Sequence, residues 1–325
     1  SGMDLCPQQP APLFTFGVIA DIQYADIDDG FNFSRTRKRY YRSSLKLLQN
    51  ALESWSDSAV KPDFILQLGD VIDGFNKPNG ASQRALDTVM REFASCPVKV
   101  HHVWGNHEFY NFSRSQLMGS PLDSSLNADW RPKQSDIYAY KFSPFPGFVF
   151  VVLDAYDVSL LGIPESSERY NKAMNLIKLH NNNEDLNCPP ELQSHSRFTM
   201  FNGGFSQEQL DWLDLVLSVA DEKQEKVTLV SHIPVHPGTT DYVCLAWNQE
   251  ELLAIIRSHS CVVCYMAGHA HDGGYYLDTG AHHLTLDGVI ETRPDSDAYA
   301  TVSVYPDRME LTGSGRVMDR VFLFS

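Results

Sequence analysis

Phe64-Ile65-Leu66-Gln67-Leu68-Gly69-Asp70-Val71-Ile72-Asp73 is the stretch that decides the fold. A short, β-rich apolar run of this kind reads as a strand buried on both faces. It stops at a glycine followed by two carboxylates three residues apart. The same habit recurs on either side. Upstream, Phe14-Thr15-Phe16-Gly17-Val18-Ile19-Ala20 stops at Asp21. Downstream, the run from Val98 to Trp104 stops at Gly105-Asn106-His107, Val227-Thr228-Leu229-Val230-Ser231 stops at His232, and Val262 to Gly268 stops at His269-Ala270-His271. Phe148-Val149-Phe150-Val151-Val152-Leu153, ending at Asp154, is a further core strand. Between the first two runs, Tyr41, Leu45, Leu48, Leu52 and Trp55 recur at spacings of four and three, which predicts an amphipathic helix opened by Ser34 as its N-cap. Strand, helix and strand in succession imply a parallel pair joined by a right-handed crossover. In such sheets ligands sit beyond the carboxyl ends of the strands, so the polar residues that close the runs are expected on one rim.

The rest of the chain fits one large α/β domain over 14–325, preceded by a tail over 1–13 in which Ser1-Gly2 reads as a cloning remnant. With 43% hydrophobic and 11% aromatic residues in 325, a packed core is well supplied. Residues from about 156 to 204 are polar, Asn-rich near Asn181-Asn182-Asn183 and broken by Cys188-Pro189-Pro190, and read as a rim insertion. Within it, Phe201-Asn202-Gly203-Gly204-Phe205 is a candidate lid with glycine hinges. Ser206-Gln207-Glu208-Gln209 has capping-box spacing and opens a helix with Leu210, Leu213 and Leu217 inward. After His271 the pattern turns to strands, including Tyr299–Tyr305 and Val321–Phe324, expected to form much of a second sheet packed on the first.

The net charge of −15 argues against a nucleic-acid surface or a polybasic membrane patch. No run approaches the roughly 20 apolar residues of a membrane span, and the start lacks the apolar segment of a signal peptide. The expectation is a cytoplasmic monomer acting on small molecules, not on nucleic acid or membranes. Of the six cysteines, Cys6, Cys96, Cys188, Cys244, Cys261 and Cys264, the Cys261/Cys264 pair lies inside an apolar run and reads as core, in keeping with a reduced setting.

The chemistry is carried by Asp21, Asp70, Asn106, His232, His269 and His271. These are oxygen and imidazole ligands without a thiolate, a set suited to Mn²⁺, Fe²⁺ or Zn²⁺. Two metals side by side need a shared ligand, and the strand-end carboxylate of Asp70 is the candidate bridge. His269 and His271, two apart, can serve one metal each. His101 and His102 lie within a strand run and read as structural, and His236 stands near His232 without an expected role in ligation.

Asp21-x-Gln23, Gly69-Asp70-x-x-Asp73, Gly105-Asn106-His107-Glu108, His232 and Gly268-His269-x-His271, in that order, resemble the calcineurin-like metallophosphoesterases from about Phe14 to His271. That resemblance implies a four-layer α/β/β/α sandwich with two packed mixed sheets and a dinuclear metal site at the strand ends. It implies that metal one takes Asp21, Gln23, Asp70 and His271, and metal two takes Asp70, Asn106, His232 and His269. It also implies that water activated between the metals attacks phosphorus in line, with His107 facing the leaving group and oriented by Asp73. The family usually has His at the position of Gln23, so a weaker carbonyl ligand stands at metal one. Asp21-Ile22-Gln23-Tyr24-Ala25-Asp26, followed by Arg39-Tyr40-Tyr41-Arg42-x-Ser44, is similar to the subfamily that uses manganese to hydrolyse the diphosphate links of ADP-ribose and CDP-alcohols. The implied cofactors are two divalent metal ions, Mn²⁺ preferred, with Zn²⁺, Fe²⁺ or Mg²⁺ as alternatives. Nucleoside diphosphate derivatives are the implied partners. Tyr24, Phe31, Arg42 and Tyr110 are candidate substrate contacts. The basic run Arg35, Arg37, Lys38, Arg39 and Arg42 is either a solvated helix face or a source of phosphate contacts. The rival readings are a phosphodiesterase or phosphomonoesterase of the same superfamily and, more distantly, a non-catalytic scaffold.

Overall fold

A computed structural model of the chain describes residues 10–57, 59, 61–133 and 136–325, so Cys6 and most of the N-terminal tail lie outside the described residues. The strands are β1 (Phe14–Ile19), β2 (Gly30–Phe31), β3 (Lys38–Arg39), β4 (Phe64–Gln67), β5 (Lys99–His102), β6 (Tyr140–Phe145), β7 (Phe148–Val152), β8 (Lys226–Val230), β9 (Val262–Ala267), β10 (Gly274–Asp278), β11 (Ala281–Thr285), β12 (Ala298–Tyr305), β13 (Arg308–Gly315) and β14 (Arg320–Leu323). The helices are α1 (Ser43–Ser56), α2 (Ser82–Ala94), α3 (Asn106–Asn111), α4 (Arg114–Leu117), α5 (Glu168–Lys178), α6 (Gln207–Glu222) and α7 (Gln249–Ser258).

Two mixed six-stranded sheets form the centre, in the orders β14-β13-β12-β1-β4-β5 and β10-β11-β9-β8-β7-β6. Alternation along β1 explains how they meet. Phe14 and Phe16 point to the opposite sheet, where Phe14 meets Phe148 and Phe16 meets Phe150, each edge to face at 5.3 Å between centroids. Gly17 points the other way, toward α1, and a Cβ there would stand 2.5 Å from the Trp55 indole. The missing side chain is what lets a fully buried tryptophan lie on the sheet. α6 packs on β8 and against α7, covering the outer face of the second sheet. The layers are therefore helices, sheet, sheet and helices. No helix among the described residues is long and apolar enough to cross a membrane.

The parallel pairs β1–β4, β4–β5, β7–β8 and β8–β9 aim their carboxyl ends at one rim. Other expectations are corrected. Ser34 does not cap the first helix, which begins at Ser43. Residues 30–39 instead form a small hairpin, β2–β3. Asn32 Oδ1 closes its turn by accepting from Thr36 N (2.9 Å) and Arg37 N (3.1 Å), a side-chain turn that outcompetes helix initiation. The basic run is thus the hairpin and its exit, not a helix face.

The C-terminal strands do not build the second sheet. β12 runs antiparallel to β1 (Phe14 opposite Val304) and carries β13 and β14 outward on the first sheet, while β10 and β11 join the second. Ser206 caps α6 by accepting from Gln209 N (3.2 Å). The Gln209 side chain does not close a capping box: it binds Asp154 N (2.8 Å) and Asp154 O (3.0 Å) and so ties α6 to the end of β7. Residues 156–204 wrap a small core of Leu160, Ala173, Ile177, Leu186 and Phe198 against Trp247.

Candidate metal centre

Four of the residues closing the strands, Asp21, Gln23, Asp70 and His269, adopt left-handed φ values of 53°, 45°, 61° and 71°. Non-glycine residues rarely adopt this region, and such outliers gather at functional sites. Here the left-handed turn reverses the chain directly at a strand exit and leaves the side chain inside. The neighbouring glycines have no room for a Cβ: at Gly69 it would stand 2.3 Å from His232 Nδ1, and at Gly105 it would stand 2.2 Å from Asp70 Oδ1.

The rim residues converge, with Asp21, Gln23, Asp70, Asn106 and His232 buried and His269 and His271 half-buried. Asp70, His232 and His269 bring one ligand atom each within 4.8 Å of one another. His232 Nε2 lies 3.1 Å from Asp70 Oδ2, 3.9 Å from Asp21 Oδ1 and 3.2 Å from His269 Nδ1. His271 Nε2 lies 3.6 Å from Asp21 Oδ1. Gln23 Nε2 donates to Asp73 Oδ1 (2.9 Å), which leaves its carbonyl oxygen free. Asn106 begins α3 and its Oδ1 accepts from the Tyr156 hydroxyl (3.3 Å).

Two buried oxygens here, Asp21 Oδ1 and Gln23 Oε1, have no hydrogen-bond partner. A buried polar atom left unpaired is costly, so a cluster of them beside imidazoles fits a cation. The donor set, oxygen and imidazole without sulfur, fits hard to intermediate divalent ions. The electrostatics agree. Burial opposes charge on Asp70, yet the adjacent His232 ring holds its carboxyl below the usual range. Burial likewise opposes charge on His232, but Asp70 pushes it up to about 10. Burial and the His232 ring hold His269 well below the usual histidine range. Burial is also overcome at His271, where Asp21 and Glu291 raise the ring to about 9.

His107 Nδ1 accepts from Gly74 N (2.8 Å), while Asp73 Oδ1 stands at 3.5 Å. The expected Asp73–His107 pairing is therefore replaced. A ring nitrogen that accepts an amide proton cannot also donate to a carboxylate, and Asp73 instead accepts from Gln23 Nε2 and from Phe75 N (2.8 Å). Tyr110 stands edge-on to His107 at 5.0 Å and its hydroxyl meets Asn106 Nδ2 at 3.2 Å. The other expected substrate contacts have partners of their own. Arg42 is engaged by Asp26 and Asp28, both at 2.7 Å, on an exposed surface. Phe31 is half exposed on the hairpin with Arg35 over its ring. Tyr24 is half-buried and bridges to Ile72 through its backbone. His101 is buried against Tyr140, as expected of a structural histidine, and His236 faces Asp278 at 3.2 Å.

Several supporting residues went unread in the sequence. Glu108, fully buried, accepts from Asp70 N (2.7 Å), Val71 N (3.0 Å) and Gly105 N (2.8 Å), stapling two strand exits together. Burial and Asp70 push its carboxyl up to about 8, against the pull of those amides. Its place after His107 in the third block was the available signal. Asn202, Glu291 and Tyr156 had none, because their contacts are made across the fold. Residues 201–205, the candidate lid, are packed against the body of the protein. Asn202 is fully buried, Phe205 is 3% exposed, and a Cβ on Gly203 would stand 2.6 Å from Ala155 O.

The family model described as calcineurin-like phosphoesterase matches residues 14–273. A human relative, manganese-dependent ADP-ribose/CDP-alcohol diphosphatase, is 54% identical over 95% of this chain and 92% of its own length. The relative of that name from Arabidopsis thaliana is 37% identical over 96% of this chain and 97% of its own length. The crystal structure of a dimetal phosphatase from Danio rerio superposes with a TM-score of 0.93, at 54% identity, covering 97% of this chain and all of that one.

Proposed function

We propose, since the chain belongs to the calcineurin-like phosphoesterase family, that it hydrolyses the diphosphate link of ADP-ribose and CDP-alcohols to a nucleoside monophosphate and a phosphorylated sugar or alcohol. The observation that carries this reading is 54% identity along 95% of the chain to a relative of that activity. The rim supplies the means. In this reading Asp21, Gln23, Asp70 and His271 hold one divalent ion, and Asp70, Asn106, His232 and His269 hold a second, with Mn²⁺ as the preferred metal. Bound there, two such ions supply positive charge to the phosphate oxygens and lower the pKa of the attacking water.

The residues of the chain do the rest. The unpaired Asp21 Oδ1 and Gln23 Oε1 support ligation at the first position. His107, with Nδ1 occupied by the Gly74 amide, carries its proton on Nε2. It acts as a donor to the oxygen that gains charge as the bond to phosphorus breaks. A diphosphate suits such a donor, because its leaving group is a phosphate that needs charge stabilisation more than full protonation. Tyr110 flanks that ring, and Tyr24, Phe31 and Arg42 remain proposed substrate contacts. A small-molecule substrate fits the charge of −15, which disfavours nucleic acid. A cytoplasmic monomer completes the proposal, in keeping with the five free cysteines among the described residues.

The test is hydrolysis of ADP-ribose and CDP-choline by metal-stripped protein, with Mn²⁺, Mg²⁺ or Zn²⁺ added back. Release of AMP and CMP, strongest with Mn²⁺, is expected. Turnover of a simple aryl phosphodiester with neither diphosphate cleaved would overturn the substrate assignment while leaving the metal site standing.

A further inference from the structure

Two side chains outside every motif block, Asn202 and Glu291, face the far nitrogens of His269 and His271. The orientation of the Asn202 amide is determined by its surroundings. Its nitrogen, Nδ2, faces Arg197 O (2.9 Å), Val243 O (2.7 Å) and Thr199 Oγ1 (3.2 Å), of which the two carbonyls can only accept. Its oxygen is therefore the atom 2.6 Å from His269 Nε2, so that nitrogen carries the proton. His269 is left with Nδ1 as its lone-pair nitrogen, and Nδ1 is the atom facing His232 in the metal cluster. At His271 the arrangement is mirrored. Glu291, 7% exposed, accepts from Nδ1, and Nε2 is the nitrogen facing Asp21. Each supporting residue is itself anchored by a separate part of the fold. Asn202 hangs on the 197–202 turn and the 242–244 helical turn, whereas Glu291 sits in the helical turn after β11, with Arg39 Nε of the hairpin 3.7 Å away.

We propose that Asn202 and Glu291 are positioning residues that hold His269 and His271 in opposite tautomers, so that each one sets the metal affinity of one position independently of the other. The inference rests on the assignment of these histidines to two metals. A ligand histidine whose outer nitrogen is held by a carboxylate or carbonyl binds metal with fixed ring orientation, and loss of that partner typically lowers affinity about 10–100-fold. Glu291 has an added part: its negative charge next to His271 strengthens the position at which Gln23 is a neutral carbonyl ligand.

The experiment pairs a spectroscopic and a binding readout. Long-range ¹H–¹⁵N spectra of ¹⁵N-histidine-labelled protein loaded with diamagnetic Zn²⁺ report which nitrogen of each ring is ligated. Mn²⁺ titration calorimetry on the wild type, Asn202→Ala, Glu291→Leu and Glu291→Gln reports each affinity. Expected are Nδ1 ligation at His269 and Nε2 ligation at His271. Glu291→Leu is expected to weaken one of two Mn²⁺ sites about 10–100-fold. Glu291→Gln, whose Oε1 still accepts from Nδ1, restores most of that affinity, and Asn202→Ala weakens the other site. Ligation through the opposite nitrogen in either ring would overturn the proposal, as would wild-type affinity at both sites in folded Asn202→Ala and Glu291→Leu. If Asn202→Ala does not fold, the wild-type spectra and the Glu291 pair still decide. Wild-type protein that takes up fewer than two Mn²⁺ would overturn the metal assignment itself, a failure seen before any variant is made.

Discussion

Gln23 and His107 show how single atoms set the chemistry of the rim. Gln23 Nε2 is committed to Asp73, so its carbonyl oxygen is the only part of the side chain left for a cation. His107 Nδ1 is committed to the Gly74 amide, so Nε2 is the only part of the ring left to donate. His107→Ala is expected to lower kcat on CDP-choline by about 10²-fold or more while leaving Mn²⁺ stoichiometry unchanged. Steady-state kinetics with a parallel Mn²⁺ titration check this, and near-wild-type turnover would remove His107 from the reaction. Asp21, Asp70, Asn106, His232, His269 and His271 were legible as donors suited to a cation because they close apolar runs, whereas Gln23 and His107 entered only through the family resemblance. Which atom each residue offers was not legible. Gly74 as the partner of His107, and the left-handed turns at Asp21, Gln23, Asp70 and His269, depend on how the chain leaves its strands.

At the scale of elements, periodicity identified the body of α1, whose inward face is Leu47, Leu48, Ala51, Leu52 and Trp55. It missed the start, since two-residue strands such as β2 and β3 carry no period and the Asn32 turn that joins them is a side-chain effect. α4 shows the opposite case, a four-residue helix closed by a Ser113–Gln116 capping box and anchored by a buried ion pair. Arg114 donates to Asp154 Oδ2 (2.6 Å), to Asp136 O (2.8 Å) and to Tyr156 O (2.9 Å), fastening the end of β7 to the segment that follows. Arg114→Ala leaves the Asp154 carboxylate buried without its partner and is expected to cost about 3–5 kcal/mol of stability. Urea denaturation measures it, and a loss under about 1 kcal/mol would contradict the role. His259, just past α7, links to α6 through Asp214 and Asp221, both at 2.6 Å. Partial burial opposes its charge, but those two carboxylates raise its pKa above the ordinary 6.5. A raised folded pKa stabilises fully below the unfolded value and is lost as pH rises through the folded value. The stability gap between wild type and His259→Gln should therefore be widest below about pH 6.5 and close in alkali. Denaturation curves across that range test it, and a gap that does not change with pH would contradict the charged link.

For the whole molecule, the fold works by bringing the ends of two sheets together. β1, β4 and β5 deliver Asp21, Asp70 and Asn106 from one sheet, and β8 and β9 deliver His232, His269 and His271 from the other. The parallel core was legible because strands buried on both faces read as continuous apolar runs. The membership of the C-terminal strands was not, because alternation in β12 and β13 shows which face is buried but not which edge they pair with. Asn202 and Glu291 were illegible for a related reason: 67 residues separate Asn202 from His269, and only the closed sandwich makes them neighbours. The central claim, that this rim is a two-metal centre, is met most directly by anomalous diffraction at the manganese edge from crystals grown with Mn²⁺. The expected result is two peaks about 3.5–4 Å apart, with Asp70 between them, Asp21, Gln23 and His271 around one, and Asn106, His232 and His269 around the other. A single peak, or two peaks elsewhere on the molecule, would contradict it.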